Sequence, residues 1–456
     1  MADTKIIVLD DDPTGSQTVH SCLLLTRWDV DTLKQGLSDD APLFFVLTNT
    51  RGMDARSAAD ITREVCINLK RALSEMAADG NEINPVVVSR SDSTLRGHYP
   101  VETDVIAEQL GPFDAHFMVP AFFEGGRFTK DSIHFLMVDG KAVPVHETEF
   151  AKDSVFGYSY SYMPDYVEEK TQGRIKAEQV ERFQLHDVRG DSLTRLMAMD
   201  NNVCCVVDSE SQEDLNHFCK QLMMVAGQGK RFLFRSAASL LTALAQLPPQ
   251  PVKAENMSQY VRDAKPGAII VGSHVKKTTQ QLEALLKMPG ISPIEVNVDS
   301  IQDNYQTMLE SITEQINEMH SQGASVVIYT SRVEKSFPTQ AERLDFGVLV
   351  SDFLMDVVRR LPITLGFLIS KGGITSNDVL SNGLKLTTSR VVGQIQAGCS
   401  VVRCPQEHQR FPHMPVVIFP GNVGNENSLA DAYHHLAQQQ LSNNFSQNWH
   451  PVDKAG

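Results

Sequence analysis

Short, continuously apolar runs separated by helical patterns constrain this chain more than any other feature. The runs are Ile6–Leu9, Leu43–Leu47, Val86–Val88, His116–Val119, Val203–Val207 and Phe232–Phe234. Ala268–Val271, Ser325–Tyr329, Gly366–Ile369 and Val416–Phe419 follow after a gap. Unbroken rather than alternating apolarity suits strands buried on both faces, the condition of a parallel sheet covered by helices. Between the runs the spacing predicts amphipathic helices, most clearly where Ile61, Val65, Leu69 and Ala72 recur at intervals of three and four. The expected class is α/β with mainly parallel sheets.

A chain of 456 residues is about three times the usual ~150-residue domain, so more than one domain is expected. Leu247-Pro248-Pro249-Gln250-Pro251 marks the boundary, because clustered prolines neither continue a helix nor pair in a central strand. The reading is an N-terminal domain over 1–247, a linker over 248–262 and a C-terminal domain over 263–456. Residues after Asn444 read as a polar tail.

Composition narrows the function. Hydrophobic residues at 42% and charged residues at 21% are those of a globular chain. Lys plus Arg number 41 against 56 for Asp plus Glu, a net −15 that disfavours a nucleic-acid binder. Seven cysteines without framework spacing read as reduced thiols. No secretory signal and no membrane-length apolar run are visible, so a cytoplasmic protein is expected.

In parallel sheets ligands bind beyond the carboxyl ends of the strands, so the residues after each run carry the functional signal. The first run ends in Asp10-Asp11-Asp12-Pro13-Thr14-Gly15, three carboxylates that can orient a hydroxyl, hold Mg²⁺ or simply cap a turn. The second leads to Thr48-Asn49-Thr50-Arg51-Gly52. The third leads to Ser89-Arg90-Ser91-Asp92-Ser93-Thr94-Leu95-Arg96-Gly97-His98, a donor-rich loop whose arginines match a carboxylate or phosphate. A fourth tip, Val119 to Arg127, adds a glycine-rich turn with an arginine.

Three later tips carry glycine and small hydroxyl residues: Gly272-Ser273-His274, Lys371-Gly372-Gly373-Ile374-Thr375-Ser376, and Gly421-Asn422-Val423-Gly424. A helix is expected after each, beginning near Asn377 in the second case. Glycine permits close backbone approach and helix-terminal amides attract phosphate, so the three together read as a phosphate site. No Walker A loop, no GxGxxG after a strand, no GxSxG and no HExxH is present. The adjacent His434 and His435 read as surface residues.

Asp11-Asp12-Pro13-Thr14-Gly15 and Ser91-Asp92-Ser93-Thr94-Leu95-Arg96-Gly97 resemble motifs of the four-carbon acid sugar kinases. Gly372-Gly373-Ile374-Thr375 and Gly421-Asn422-Val423-Gly424 are similar to that family's nucleotide loops. The resemblance spans both halves in order. It departs from the family where Arg90 replaces a lysine common in relatives, and where Ile374 replaces an acidic residue found in some.

The resemblance implies an ATP-dependent kinase that phosphorylates the terminal C4 hydroxyl of threonate, erythronate or 3-oxo-tetronate. It implies a sugar-acid domain, an ATP domain and an active site in the cleft between them. Asp11, Asp12, Arg51, Arg90, Ser91, Asp92 and Ser93 would hold the sugar acid. Ser273, Gly372, Gly373, Ile374, Thr375, Gly421, Asn422, Val423 and Gly424 would line the nucleotide. Arg51 and Arg90 would clamp the carboxylate, and Asp12, or else Asp11, would take or orient the hydroxyl proton. Mg²⁺ would accompany ATP with unassigned ligands, and partners would be small molecules, with neither nucleic acid nor membrane and with room for a homo-oligomer. Two other classes remain: a lyase or dehydrogenase acting on a small hydroxy acid, and a binding protein for one. Neither a nicotinamide fingerprint nor a catalytic-lysine site supports the former.

Overall fold

The computed structural model describes residues 3–273, 275–332, 337–421 and 423–448. The chain divides into two compact units, Met1–Pro249 and Gln250–Gly456.

The first unit is built on β1 (Asp3–Asp10), β2 (Cys22–Leu25), β3 (Leu43–Leu47), β4 (Ile83–Arg90) and β5 (Ala115–Val119). A small antiparallel sheet follows, made of β6 (Arg127–Lys130), β7 (Ile133–Val138) and β8 (Lys141–Pro144). β9 (Glu181–Phe183), β10 (Val203–Val207) and β11 (Phe232–Ser236) return to the main sheet. Its order is β2-β3-β1-β4-β11-β5-β10-β9, and every neighbouring pair is parallel. The central strands are buried on both faces, which is why their sequences are unbroken apolar runs. The predicted stripe forms a helix over Ala55–Ala78, with Val65, Leu69 and Ala72 buried against Ile7, Phe44 and Val87. Asp54 caps it, accepting from the backbone N–H groups of Arg56 and Ser57.

The second unit carries β12 (Ala268–Val271), β13 (Ile291–Val296), β14 (Ser325–Thr330), β15 (Leu368–Lys371), β16 (Thr388–Gln396), β17 (Cys399–Arg403) and β18 (Pro415–Phe419). The order β13-β14-β12-β15-β18 is parallel, and β17 and β16 continue it in antiparallel fashion. The proline-rich boundary is followed by a 3₁₀ segment, Ala254–Tyr260, whose Met257 is fully buried in this unit's core.

Three expectations shift. β15 runs two residues later than its apolar run suggests, because pairing with β12 and β18 extends to Lys371. The helix after the paired glycines starts at Gly373, not near Asn377. The final helix, Ser428–Asn448, continues past Asn444, where a polar tail is expected. All seven cysteines are buried, and none is held in a disulfide. Among the described residues, no helix is long and apolar enough to cross a membrane.

Candidate functional site

The register of the first unit places its motif residues on one edge. Asp10 pairs with Leu47 and Arg90, and Ser236 pairs with Arg90 and Val119. The carboxyl ends of β3, β1, β4, β11 and β5 therefore lie side by side. The chain runs outward from β1 to β2, comes back through β3 and crosses to β4 on the other flank of β1, so the β1/β4 junction is a topological switch point.

An ion-paired network fills that junction. Arg51 donates from Nε and Nη2 to the Asp11 carboxylate, at 3.2 and 2.5 Å, and from Nη1 to Asp12 Oδ2 at 3.2 Å. Arg90, almost fully buried, reaches Asp10 at 3.4 Å and Asp11 at 4.0 Å. Ser91 Oγ donates to Asp11 Oδ2 at 2.6 Å and accepts from Arg235 Nη2 at 2.8 Å. Arg235 also holds Ser89 Oγ at 2.7 Å and Glu102 at 2.6 Å, and Glu102 accepts from Thr50 Oγ1 at 2.6 Å. Arg96 pairs with Asp92 at 2.9 Å.

The loop after β4 is fixed from several sides. His134 of β7 bonds Ser93 O at 2.8 Å, Tyr158 donates to Thr94 O at 2.7 Å, and Tyr166 donates to Leu95 O at 2.9 Å. Gly97 has a φ of +127°, and a Cβ there would stand 2.3 Å from Ser91 Oγ and 2.7 Å from Arg235 Nη2. Both conformation and space demand glycine at this position.

The three aspartates are not equivalent. Asp10 is fully buried, and its Oδ2 has no hydrogen-bond partner among the described residues. Burial pushes its carboxyl up to about 7; Arg90 opposes that, while Asp11 and Asp12 reinforce it. Asp11 is 1% exposed at its side chain and engaged on both oxygens. Asp12 keeps 21% side-chain exposure, with Oδ1 accepting from the Thr14 N–H at 2.8 Å and hydroxyl at 2.5 Å. Burial works upward on Asp12, but Arg51 and Thr14 outweigh it and hold the group below its ordinary value. Asp92 is likewise held well below the carboxylate range, its burial outweighed by Arg51 and Arg96. The partly exposed members of the cluster are therefore Asp12, Arg51, Asp92 and Arg96, with Asp10, Asp11, Arg90 and Ser91 beneath.

Asp10 gives a testable pH signature. Its folded value near 7 lies above the ~3.9 of an unfolded chain, so the native state holds the extra proton between those limits. Stability should fall as pH rises from about 4 through about 7, and Asp10→Asn should flatten that slope. Urea melts at stepped pH check this; an unchanged slope would show that Asp10 is already ionised.

In the second unit three glycine loops converge at the carboxyl ends of the adjacent strands β12, β15 and β18. A Cβ on Gly272 would stand 2.6 Å from Thr375 Oγ1, and one on Gly372 would stand 3.5 Å from the Ser273 Cβ. Ser273, Gly372 and Thr375 are thus neighbours. Gly372 N–H donates to Phe419 O at 2.8 Å. Lys371, fully buried, donates from Nζ to Pro420 O at 2.5 Å and Gly421 O at 3.1 Å, over the Phe419 ring. Burial drops its ammonium to about 7. Gln281 holds the next turn through Val423 O at 2.9 Å, and Gly424 abuts Ser428. Ile374 is exposed, whereas Asn422 and His274 lie outside the described residues. His434 is exposed and His435 half-buried.

Glu102 and Arg235 belong to the first cluster although the sequence reading does not name them, and Lys371 stands in that reading only as the first residue of a glycine loop. Arg235 directly follows an apolar run, a placement that could have flagged it; Glu102 lies in an ordinary first helical turn and gives no such signal.

Residues 6–244 match the model of a sugar-binding N-terminal domain, and residues 268–429 that of a nucleotide-binding C-terminal domain. A Salmonella typhimurium LT2 protein, provisionally named a tRNA synthase, superposes with a TM-score of 0.69 at 18% identity, covering 94% of this chain and 98% of its own. A Haemophilus influenzae protein from a family described as a domain of unknown function gives 0.63 at 16% identity, covering 94% and 100%. At such identities these likenesses speak for the fold alone. No curated protein matches the chain. The two domain matches, in order and spanning most of the sequence, show that the chain belongs to the four-carbon acid sugar kinase family.

Proposed function

We propose that this protein transfers the γ-phosphoryl group of ATP to the terminal C4 hydroxyl of a four-carbon sugar acid: threonate, erythronate or a 3-oxo-tetronate. The observation that carries the reading is the pairing of two chemistries in one chain. A sugar-binding unit presents polar groups at its switch point, and a nucleotide-binding unit gathers three glycine loops at adjacent strand ends. Phosphoryl transfer asks the protein mainly for positioning and charge neutralisation, and both clusters supply these.

In this reading Asp12 faces the reacting hydroxyl and orients its proton, since it is the member of the triplet with solvent exposure. Asp11 and Arg90 hold the surface groups in place, and Arg51, Asp92 and Ser93 line the sugar. Ser273, Gly372, Gly373, Thr375, Gly421 and Gly424 surround the nucleotide, and Lys371 fixes the Gly421 turn. Among the described residues no group of three or more His, Cys, Asp or Glu is placed to hold a metal ion. We therefore take Mg²⁺ as part of the Mg-ATP substrate, in keeping with its habit of retaining water and few protein ligands.

The test is ADP release with Mg-ATP against both enantiomers of threonate and erythronate and the 3-oxo-tetronates. Strong acid-dependent release with one of them is expected. Silence across the panel, with ATP still raising the melting temperature, would reject the four-carbon substrate. Silence without an ATP shift would reject the kinase.

A further inference from the structure

Charge accounting at the strand ends of the first unit identifies a residue outside the network. Arg51 is paired with Asp11 and Asp12, Arg90 with Asp10 and Asp11, Arg96 with Asp92, and Arg235 with Glu102. Each guanidinium is thus already compensated by carboxylates of the protein. Arg127, at the start of β6 and just past the turn that follows β5, is the exception. Among the described residues no carboxylate lies within ion-pair distance of it.

The turn is built to place that side chain. Arg127 and Phe122 exchange backbone hydrogen bonds at 2.9 and 3.0 Å, closing the loop between them. Arg127 Nη1 donates to Gly125 O at 2.6 Å, and the guanidinium lies 5.7 Å from the centre of the Phe122 ring. A Cβ on Gly125 would stand 2.1 Å from Nη1 and 2.5 Å from the Phe122 ring, so the arginine's position depends on that glycine. Its Nε is buried and has no acceptor among the described residues. The group is half-buried, and β6 lies beside the loop after β4: Thr129, two residues on, meets His134 at 2.9 Å, and His134 bonds Ser93 O at 2.8 Å. With Nη1 held by Gly125 O and no carboxylate in ion-pair distance among the described residues, this partly desolvated cation lacks the anion such a group requires.

We infer that Arg127 binds the carboxylate of the sugar acid and is the residue that selects acids over neutral sugars. This rests on the sugar-acid reading above but moves the carboxylate away from Arg51 and Arg90. Arg51 then holds Asp12, which faces the hydroxyl, and Arg90 holds Asp10 and Asp11 beneath it.

The test is calorimetric titration of the full chain, without turnover, using threonate, erythronate and neutral erythritol. Arg127→Gln should weaken the acid by about 10- to 100-fold, the range for a charge-assisted hydrogen-bonded contact, and leave ATP and erythritol affinities unchanged. Gly125→Ala, which displaces the guanidinium while retaining it, should weaken the acid in the same selective way. An ATP-induced melting shift equal to wild type verifies that each variant is folded. Acid binding by Arg127→Gln within threefold of wild type overturns the inference, as does equal weakening of erythritol. If wild type binds an acid but never phosphorylates it, the kinase reading falls and Arg127 stands. If wild type binds none of the acids, both fall.

Discussion

Asp12→Asn should reduce turnover by about 10²- to 10⁴-fold, the span a positioned proton acceptor contributes, while the ATP-induced melting shift survives. The change is close to isosteric, and Oδ1 can keep accepting from Thr14. What is lost is the negative charge that faces Arg51 and the free lone pair directed at a hydroxyl. Because Arg51 and Thr14 hold Asp12 below its ordinary value, the group is a weak base. Its contribution is then to orient the hydroxyl and to accept its proton late, once the phosphoryl group has begun to move, as a loose transition state allows. Asp12 should therefore stay ionised down to pH 5, and no acid limb in kcat/KM should arise from it above that pH. Asp11→Asn makes the contrast: it uncouples Arg51 and Ser91, so it should lower stability as well as rate. Near-normal turnover by Asp12→Asn would remove it from the reacting centre.

The legible part of this molecule was the part written in local pattern. Unbroken apolar runs such as Leu43–Leu47 and Val203–Val207 suit doubly covered strands, and both are buried strands, Val203 partly. The tips that follow them carry the charged loops, because a parallel sheet brings those ends to one edge. Edge and antiparallel strands escaped: Ile291–Val296 contains a proline and alternates in exposure, and β6 to β8 are short and half-exposed. At the site, Asp11, Asp12, Arg51 and the loop from Arg90 to Ser93 announce themselves as polar residues at apolar strand ends. Their pairing does not, since which carboxylate takes which arginine depends on side chains from different strands. That pairing changes the chemistry read from them, because it leaves Arg127 as the uncompensated cation. Lys371 was hidden for another reason: its long stem and positive charge read as loop, while pairing with Val271 and Phe419 draws it into the sheet.

Arg235→Met should destabilise the first unit by about 3–5 kcal/mol, the cost of stranding a buried charge. Glu102 is buried and, beyond Thr50, depends on Arg235 for compensation. Burial works to raise its carboxyl, and Arg235 and Thr50 overcome that and keep it ionised. With the guanidinium gone, Glu102 must take up a proton or recruit water into a packed interior, and Ser89 and Ser91 lose a donor. The paired variant Arg235→Met with Glu102→Leu removes both charges, so it should recover much of the loss; replacing a buried ion pair by packed apolar groups is often nearly neutral. Chemical melts of the single and double variants measure the coupling directly. Equal destabilisation by the double variant would mean that packing, and not charge compensation, sets the cost. Activity should not follow stability in the double variant, because Ser91 would still lack the Arg235 donor that helps hold it against Asp11. A stable but slow double variant would thus separate the two roles of the network: compensating Glu102 in the interior, and aligning the Asp11–Ser91 layer beneath the sugar.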